Sequence, residues 1–214
     1  MATRKTKAGA VFTGDIVNSS ALKATEKRKM LKTLDSLFRK ENGLIPDLKT
    51  EVFQGDSFQG ITTLGVGQSL RYAMAIIAGL KKHNMAVRIS IGIGTVDFSA
   101  RNVITSNGTA FQYSGRGLEA LKKNTGAYIS LSTYNDELNR EFEVHCATLD
   151  YLIARCTPLQ AEALQLALDN LTQMQIASLL KLSQPTVQQR LQSAGWPVFK
   201  AIVNRFEQKI QNPA

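Results

Sequence analysis

The order in which the apolar residues change their spacing constrains this chain more than any other feature. Residues 10–13 (Ala-Val-Phe-Thr) read as a strand, and Met30, Leu31, Leu34, Leu37 and Phe38 then recur at helical spacing. Residues 50–62 read as a hairpin turning at Gly55-Asp56, with Phe53 and Phe58 flanking the turn. A second helix is expected over residues 68–83, with Leu70, Ala73, Met74, Ile77 and Leu80 on its apolar face. Val-Arg-Ile-Ser-Ile-Gly-Ile at 87–93 alternates as a strand; a polar loop over 99–109, a helix around 111–123 and a strand at 127–131 follow. The order is β-α-β-β-α-β-α-β. Hairpins mixed with crossover helices predict an α+β sheet layered with helices, of the ferredoxin-like or palm kind. Phe12, Leu34, Phe53, Phe58 and Ile91 are expected in its core.

From about Tyr134 the strand patterns stop. Thr157-Pro158 is a helix start, Thr as cap and Pro in the first turn. Thr172 is placed to cap a short helix over 173–180, Lys181-Leu182-Ser183 to form a turn, and Ser183 to cap a helix over 184–194 stopped at Gly195. Trp196-Pro197 opens a last amphipathic helix, with Trp196 read as its packing anchor. The expected division is a sheet domain over 1–133, a connecting helical segment over 134–157 and an all-α unit over 158–214.

A length of 214 residues, 43% hydrophobic, allows one large or two small domains with a real core. The formal charge of +9 permits an acidic partner such as a nucleotide or nucleic acid. Its location is informative: residues 1–157 hold 21 Lys/Arg against 14 Asp/Glu, residues 158–214 only 5 against 3. No apolar stretch is long enough to span a bilayer, and the basic start from Met1 to Lys7 is unlike a signal peptide, so a cytoplasmic protein with no membrane partner is expected. Cys146 and Cys156 lack metal-site spacing and read as reduced, buried or semi-buried thiols.

Two Gly-Asp pairs, Gly14-Asp15 and Gly55-Asp56, each follow a strand-like run. Carboxylates just past strand ends can hold Mg²⁺ against phosphate, because that ion takes hard oxygen ligands and usually one or two carboxylates. A metal pair would stabilise both attacking and leaving oxygens of phosphoryl transfer. Either pair alone is explained by a turn. Asn18, Ser19 and Ser20 are good cap residues, so the first helix is expected to begin beside Asp15 with free N–H groups for a phosphate; capping alone explains the same residues.

The run from Val11 to Ser20 resembles the first metal-binding segment of class III nucleotidyl cyclases, and Gln54-Gly55-Asp56-Ser57-Phe58 resembles the hairpin with their second metal Asp. Residues 88–94 resemble their central strand. The Gly14-to-Ser19 start, Gly108-Thr109-Ala110-Phe111 and the helical tail are also similar to the SatD family of small bacterial proteins. The resemblance implies Asp15 and Asp56 as ligands of Mg²⁺ or Mn²⁺, the Ile16 carbonyl as a third oxygen, a nucleoside triphosphate ligand and a homodimer. It stops short of chemistry. The stretch from Phe111 to Glu119 lacks the family's Asn, Arg116 has no Asn four residues before it, and the base-selecting position is Val52. Arg116, Lys122 and Lys123 are the cations on hand to replace the missing Arg on developing phosphoryl charge.

Residues 175–187, with Ile176, Ala177, Leu180, Leu182 and Val187 as skeleton, look like bacterial DNA-binding units of the LuxR or sigma region 4 kind. There Gln184, Gln188 and Gln189 would reach base edges, Lys181 and Arg190 phosphates, with Ser183 at the helix start. A helical assembly module with solvated Gln side chains is the competing reading. The whole reads as α+β: a palm-type cyclase-like domain followed by an all-α helix-turn-helix domain. The functions expected are a nucleotide- or metal-responsive DNA-binding regulator, or alternatively a metal-dependent nucleotidyl cyclase or related nucleotide-processing enzyme. A structural module with a degenerate site is the third reading.

Overall fold

A computed structural model describes residues 6–53, 56–97 and 107–211. Residues 54–55, where half of the expected hairpin turn falls, and most of the expected polar loop lie outside that range. Five strands form one sheet: β1 (Thr6–Ile16), β2 (Lys49–Phe53), β3 (Ser57–Thr62), β4 (Val87–Asp97) and β5 (Ile129–Ser132). Their order is β2-β3-β1-β4-β5. β1 is central and antiparallel to β3 and β4, β2 and β3 form the hairpin, and β5 joins β4 in parallel. With α1 (Ala24–Asn42), α2 (Ser69–Lys81) and α3 (Thr109–Lys123) between them, the element order is the one the apolar spacing predicts.

The alternation along β1 separates two faces. Ala10, Phe12 and Ile16 enter the main core with residues of α1, α2 and α4 (Asp136–Arg155), whereas Val11 packs with Ile61, Val96 and Ala110 on the other side, under α3. Phe12, Leu34, Phe58 and Ile91 are fully buried. Phe53 is only half-buried, because it ends β2, the edge strand of the sheet.

Gly92 sets how closely α3 approaches. A Cβ there would lie 2.1 Å from the Ala110 carbonyl oxygen and 2.5 Å from the Ser114 nitrogen, both backbone atoms. Opposite β4, the hydroxyls of Thr13 and Ser114 meet at 2.9 Å, and Ser130 donates to Ser90 at 2.9 Å. The layer between α3 and the sheet is therefore partly polar.

The chain ends in α5 (Pro158–Leu168), α6 (Gln173–Leu180), α7 (Gln184–Ser193) and α8 (Trp196–Gln211). Thr157, Thr172 and Ser183 each accept a backbone N–H at the start of the next helix, as their positions predict. α5 faces two ways. Ala161, Leu164 and Leu168 join the main core, while Ala163, Leu166 and Ala167 pack with Ile176, Ala177, Val187 and Leu191 of α6 and α7. Trp196 is partly buried against both clusters. Among the described residues, no helix is long and apolar enough to cross a membrane.

Candidate functional site

Asp15 lies near the end of β1 between Ser57 of β3 and Arg88 of β4. Val11, Thr13 and Asp15 alternate onto the α3 face, so its carboxylate points away from the main core. Gly14 has no room for a side chain: a Cβ would lie 2.0 Å from the Phe58 ring. The ring thus packs directly on the backbone that precedes Asp15. Asp56 stands just before β3, and its carbonyl accepts the Ile16 amide at 3.2 Å. That bond ties the two Gly-Asp segments together at one end of the sheet.

The side chains follow the backbone. Asp15 is chiefly raised by burial from the ordinary carboxylate range; Lys122 opposes this, Asp56 adds to it, Arg88 opposes it and Glu119 adds to it. Five charged groups thus share one neighbourhood. Arg88 reaches Asp15 only loosely, Nη1 to Oδ2 at 3.9 Å, and its buried Nε has no partner among the described residues. Lys122 pairs with Glu119 at 3.1 Å on the exposed side of α3. The Ser19 hydroxyl donates to the Asp56 carboxylate.

The expected helix start beside Asp15 is corrected. Asn18 is left-handed (φ 58°), Ser19–Ala21 forms a short 3-10 turn, and α1 begins only at Ala24. Lys23 N, donating to Glu26 Oε2 at 2.9 Å, takes the capping role. The N–H groups of α1 are therefore not presented by Asn18, Ser19 and Ser20. Ser19 is buried as a support for Asp56, and Asn18 and Ser20 are exposed. Arg116 is exposed and lies over the Tyr113 ring, 5.4 Å from its centroid.

Arg88 and Glu119 are the charged neighbours that sequence reasoning missed. Arg88 had a signal: it is the one charged residue in the alternating run Val-Arg-Ile-Ser-Ile, at a position facing away from the apolar side. Its register opposite Asp15 was not readable, because strand pairing is not local.

Among the described residues, no group of three or more His, Cys, Asp or Glu side chains is set to hold a metal ion. The Asp pair fits the lesser requirement of Mg²⁺ or Mn²⁺ bound jointly with phosphate, which takes one or two carboxylates. Both carboxylates offer hard oxygens, and among the described residues the half-buried Asp15 meets only the distant Arg88 guanidinium as a counter-charge.

In the C-terminal helices, Lys181 is exposed in the left-handed conformation (φ 54°) that ends α6. Ser183 caps α7, its hydroxyl also meeting that of Thr186 at 2.8 Å. Gln184, Gln188 and Gln189 are exposed. Arg190 is half-buried and turned toward Glu162 of α5, Nη1 to Oε2 at 3.7 Å.

No family model and no curated protein matches this sequence. Solved structures similar to it include a bacterial light-regulated adenylyl cyclase, at 17% identity, covering 60% of this chain and 77% of that one, with a TM-score of 0.45. The active GGEEF domain of a diguanylate cyclase from Vibrio cholerae is 16% identical over 60% of this chain and 84% of its own, with a TM-score of 0.42. A class III adenylyl cyclase-like ATP-binding protein from Pseudomonas aeruginosa is 14% identical over 97% of this chain, with a TM-score of 0.40; the chain spans 44% of its length. The palm-type α+β arrangement itself is given by the strand order and register above.

Proposed function

We propose that the chain binds a nucleoside triphosphate together with Mg²⁺ or Mn²⁺ at Asp15 and Asp56 and acts on it by phosphoryl or nucleotidyl transfer. The convergence of these two carboxylates at one sheet end, beside Lys122 and Arg88, carries this reading. Asp15 and Asp56 hold the cation, with the Ile16 carbonyl as the third oxygen. Lys122 and Arg116 on α3 meet the phosphates, and Ser19 orients Asp56. A bound divalent cation supplies charge neutralisation for the phosphates. Membership of the SatD family and assembly as a homodimer belong to the same proposal.

Calorimetry and product chromatography with ATP and GTP in Mg²⁺ or Mn²⁺ test it. Metal-dependent binding and turnover are expected, both lost in Asp15→Ala and Asp56→Ala variants that remain folded. Binding that persists unchanged in those variants would reject the site.

A second reading is favoured by one observation: Gln184, Gln188 and Gln189 lie exposed on α7, the helix after the Lys181 turn. There residues 158–214 form a DNA-binding helix-turn-helix unit whose engagement responds to the nucleotide. The Arg190–Glu162 pair leaves Lys181 as the freer phosphate contact. A gel-shift assay at low salt, with and without nucleotide, decides it: no shift, or an undiminished shift in a Gln184→Ala/Gln188→Ala variant, removes this reading.

A further inference from the structure

Where α1 and α5 meet, far along the chain from the Asp pair, two acidic side chains are buried together. Glu41 is 3% exposed and Asp169 8%. Lys40 donates to Asp169 Oδ2. The two side chains line the same cavity, close enough for Asp169 to act on Glu41, yet Glu41 Oε1 and Asp169 Oδ1 reach no donor group among the described residues. Two buried carboxylates in contact need a proton or a cation between them, since both cannot hold bare charge.

A second observation is independent of the acids. Tyr72 of α2 is 1% exposed, and its hydroxyl is buried with no partner among the described residues, close enough to Glu41 to feel its charge. A buried polar group left in that state carries a desolvation cost that a bonded partner would offset. Glu41, Tyr72 and Asp169 all line one cavity of about 230 Å³, whose other walls include Leu44, Ile45 and Leu168. Arg71 and Glu207, also at its edge, are already bonded to each other at 2.8 Å.

We propose that this cavity is a binding site for a small aliphatic ammonium compound. Its –NH₃⁺ replaces the proton between Glu41 and Asp169 and reaches the Tyr72 oxygen, and its alkyl part lies against Leu44, Ile45 and Leu168. Three features select this ligand class. An ammonium has three donors for the three oxygens Glu41 Oε1, Asp169 Oδ1 and Tyr72 Oη. Once Glu41 gives up its proton, the charge balance leaves place for one cation: Lys40 offsets Asp169, Arg71 offsets Glu207, and Glu41 is left over. The wall is part apolar, and the third acidic side chain at the cavity, Glu207, is held by Arg71, so that among the described residues no group of three acids is set for a metal ion.

Ligand and proton compete for one place. Burial, then Asp169, pushes Glu41 up to about 8. The charged and titratable groups facing it are Lys40 from its own helix, Arg71 and Tyr72 from α2, Asp169 just past the end of α5 and Glu207 from α8. Affinity therefore rises with pH through about 8 while the amine stays protonated.

The test is titration calorimetry of the full chain with butylammonium chloride and 1,4-diaminobutane, against butanol and potassium chloride at constant ionic strength, on both sides of pH 8. Saturable binding of the two ammonium probes alone is expected, tighter on the alkaline side. Glu41→Gln should weaken it by about tenfold or more, through loss of a charge-assisted bond, and Tyr72→Phe by several-fold. Four outcomes would overturn the proposal: no saturable heat at millimolar probe, equal binding of butanol, equal binding of potassium, or unchanged affinity in a folded Glu41→Gln protein. Should Glu41→Gln not fold, unchanged affinity in Tyr72→Phe together with a flat pH profile overturns it as well.

Discussion

Single residues decide how the polar layer and the candidate site are built. Gly92 is the clearest case, because the atoms that a methyl group would strike belong to the backbone of α3 and cannot swing away. Gly92→Ala must push α3 off β4, separating Thr13 from Ser114 and moving Lys122 relative to Asp15. Overpacking of this kind costs about 1–3 kcal/mol and occasionally more. Urea unfolding of Gly92→Ala should show at least that loss, with weaker nucleotide binding in whatever remains folded. Gly14 differs in kind: its neighbour is the Phe58 ring, a side chain in the main core. The two Gly-Asp pairs were visible as turn signals. That Gly14 exists to seat a phenyl ring was not, since Phe58 is 44 positions away.

Elements carry the next set of consequences. The turn between α6 and α7 holds Lys181 left-handed, a conformation that costs a non-glycine residue about 1 kcal/mol. Lys181→Gly should therefore stabilise the chain by up to about 1 kcal/mol, whereas Ser183→Ala, which removes the α7 cap, should cost about the same. Thermal unfolding of the two variants reads both signs in one experiment. Helix starts of this kind were legible in the sequence because a cap acts over three or four residues. The first helix was misplaced for the complementary reason. Asn18, Ser19 and Ser20 carry cap chemistry, but Ser19 spends its hydroxyl on Asp56, 37 residues away, and α1 starts later.

At the scale of the whole molecule, buried carboxyl groups set how stability responds to pH. Asp150 of α4 accepts the Tyr128 and Ile129 amides at 3.0 and 3.1 Å on the outer edge of β5, and burial pushes it up to about 7. Its folded value lies above its unfolded one. The folded state therefore keeps a proton that the unfolded chain has lost, and stability falls as pH rises from about 4 to about 7. Glu41 adds to the fall up to about 8. Asp150→Asn keeps the acceptor without the charge. It should match the wild type near pH 5 and exceed it above about pH 7, by roughly 1–4 kcal/mol in urea unfolding. A constant difference across that range would reject this account.

Local sequence patterns determined the element order, the α+β class and the helix caps of the C-terminal third, because each depends on residues a few positions apart. Tertiary structure alone decided which charged groups share a neighbourhood. Arg88 meets Asp15 through strand register, Lys122 through the glycine-permitted approach of α3, and Glu41 meets Asp169 across 128 positions. It also decided that α5 serves two clusters at once, joining the helices of the tail to the main core. Spacing in sequence fixes which face a side chain takes, and packing between distant segments fixes what that face meets.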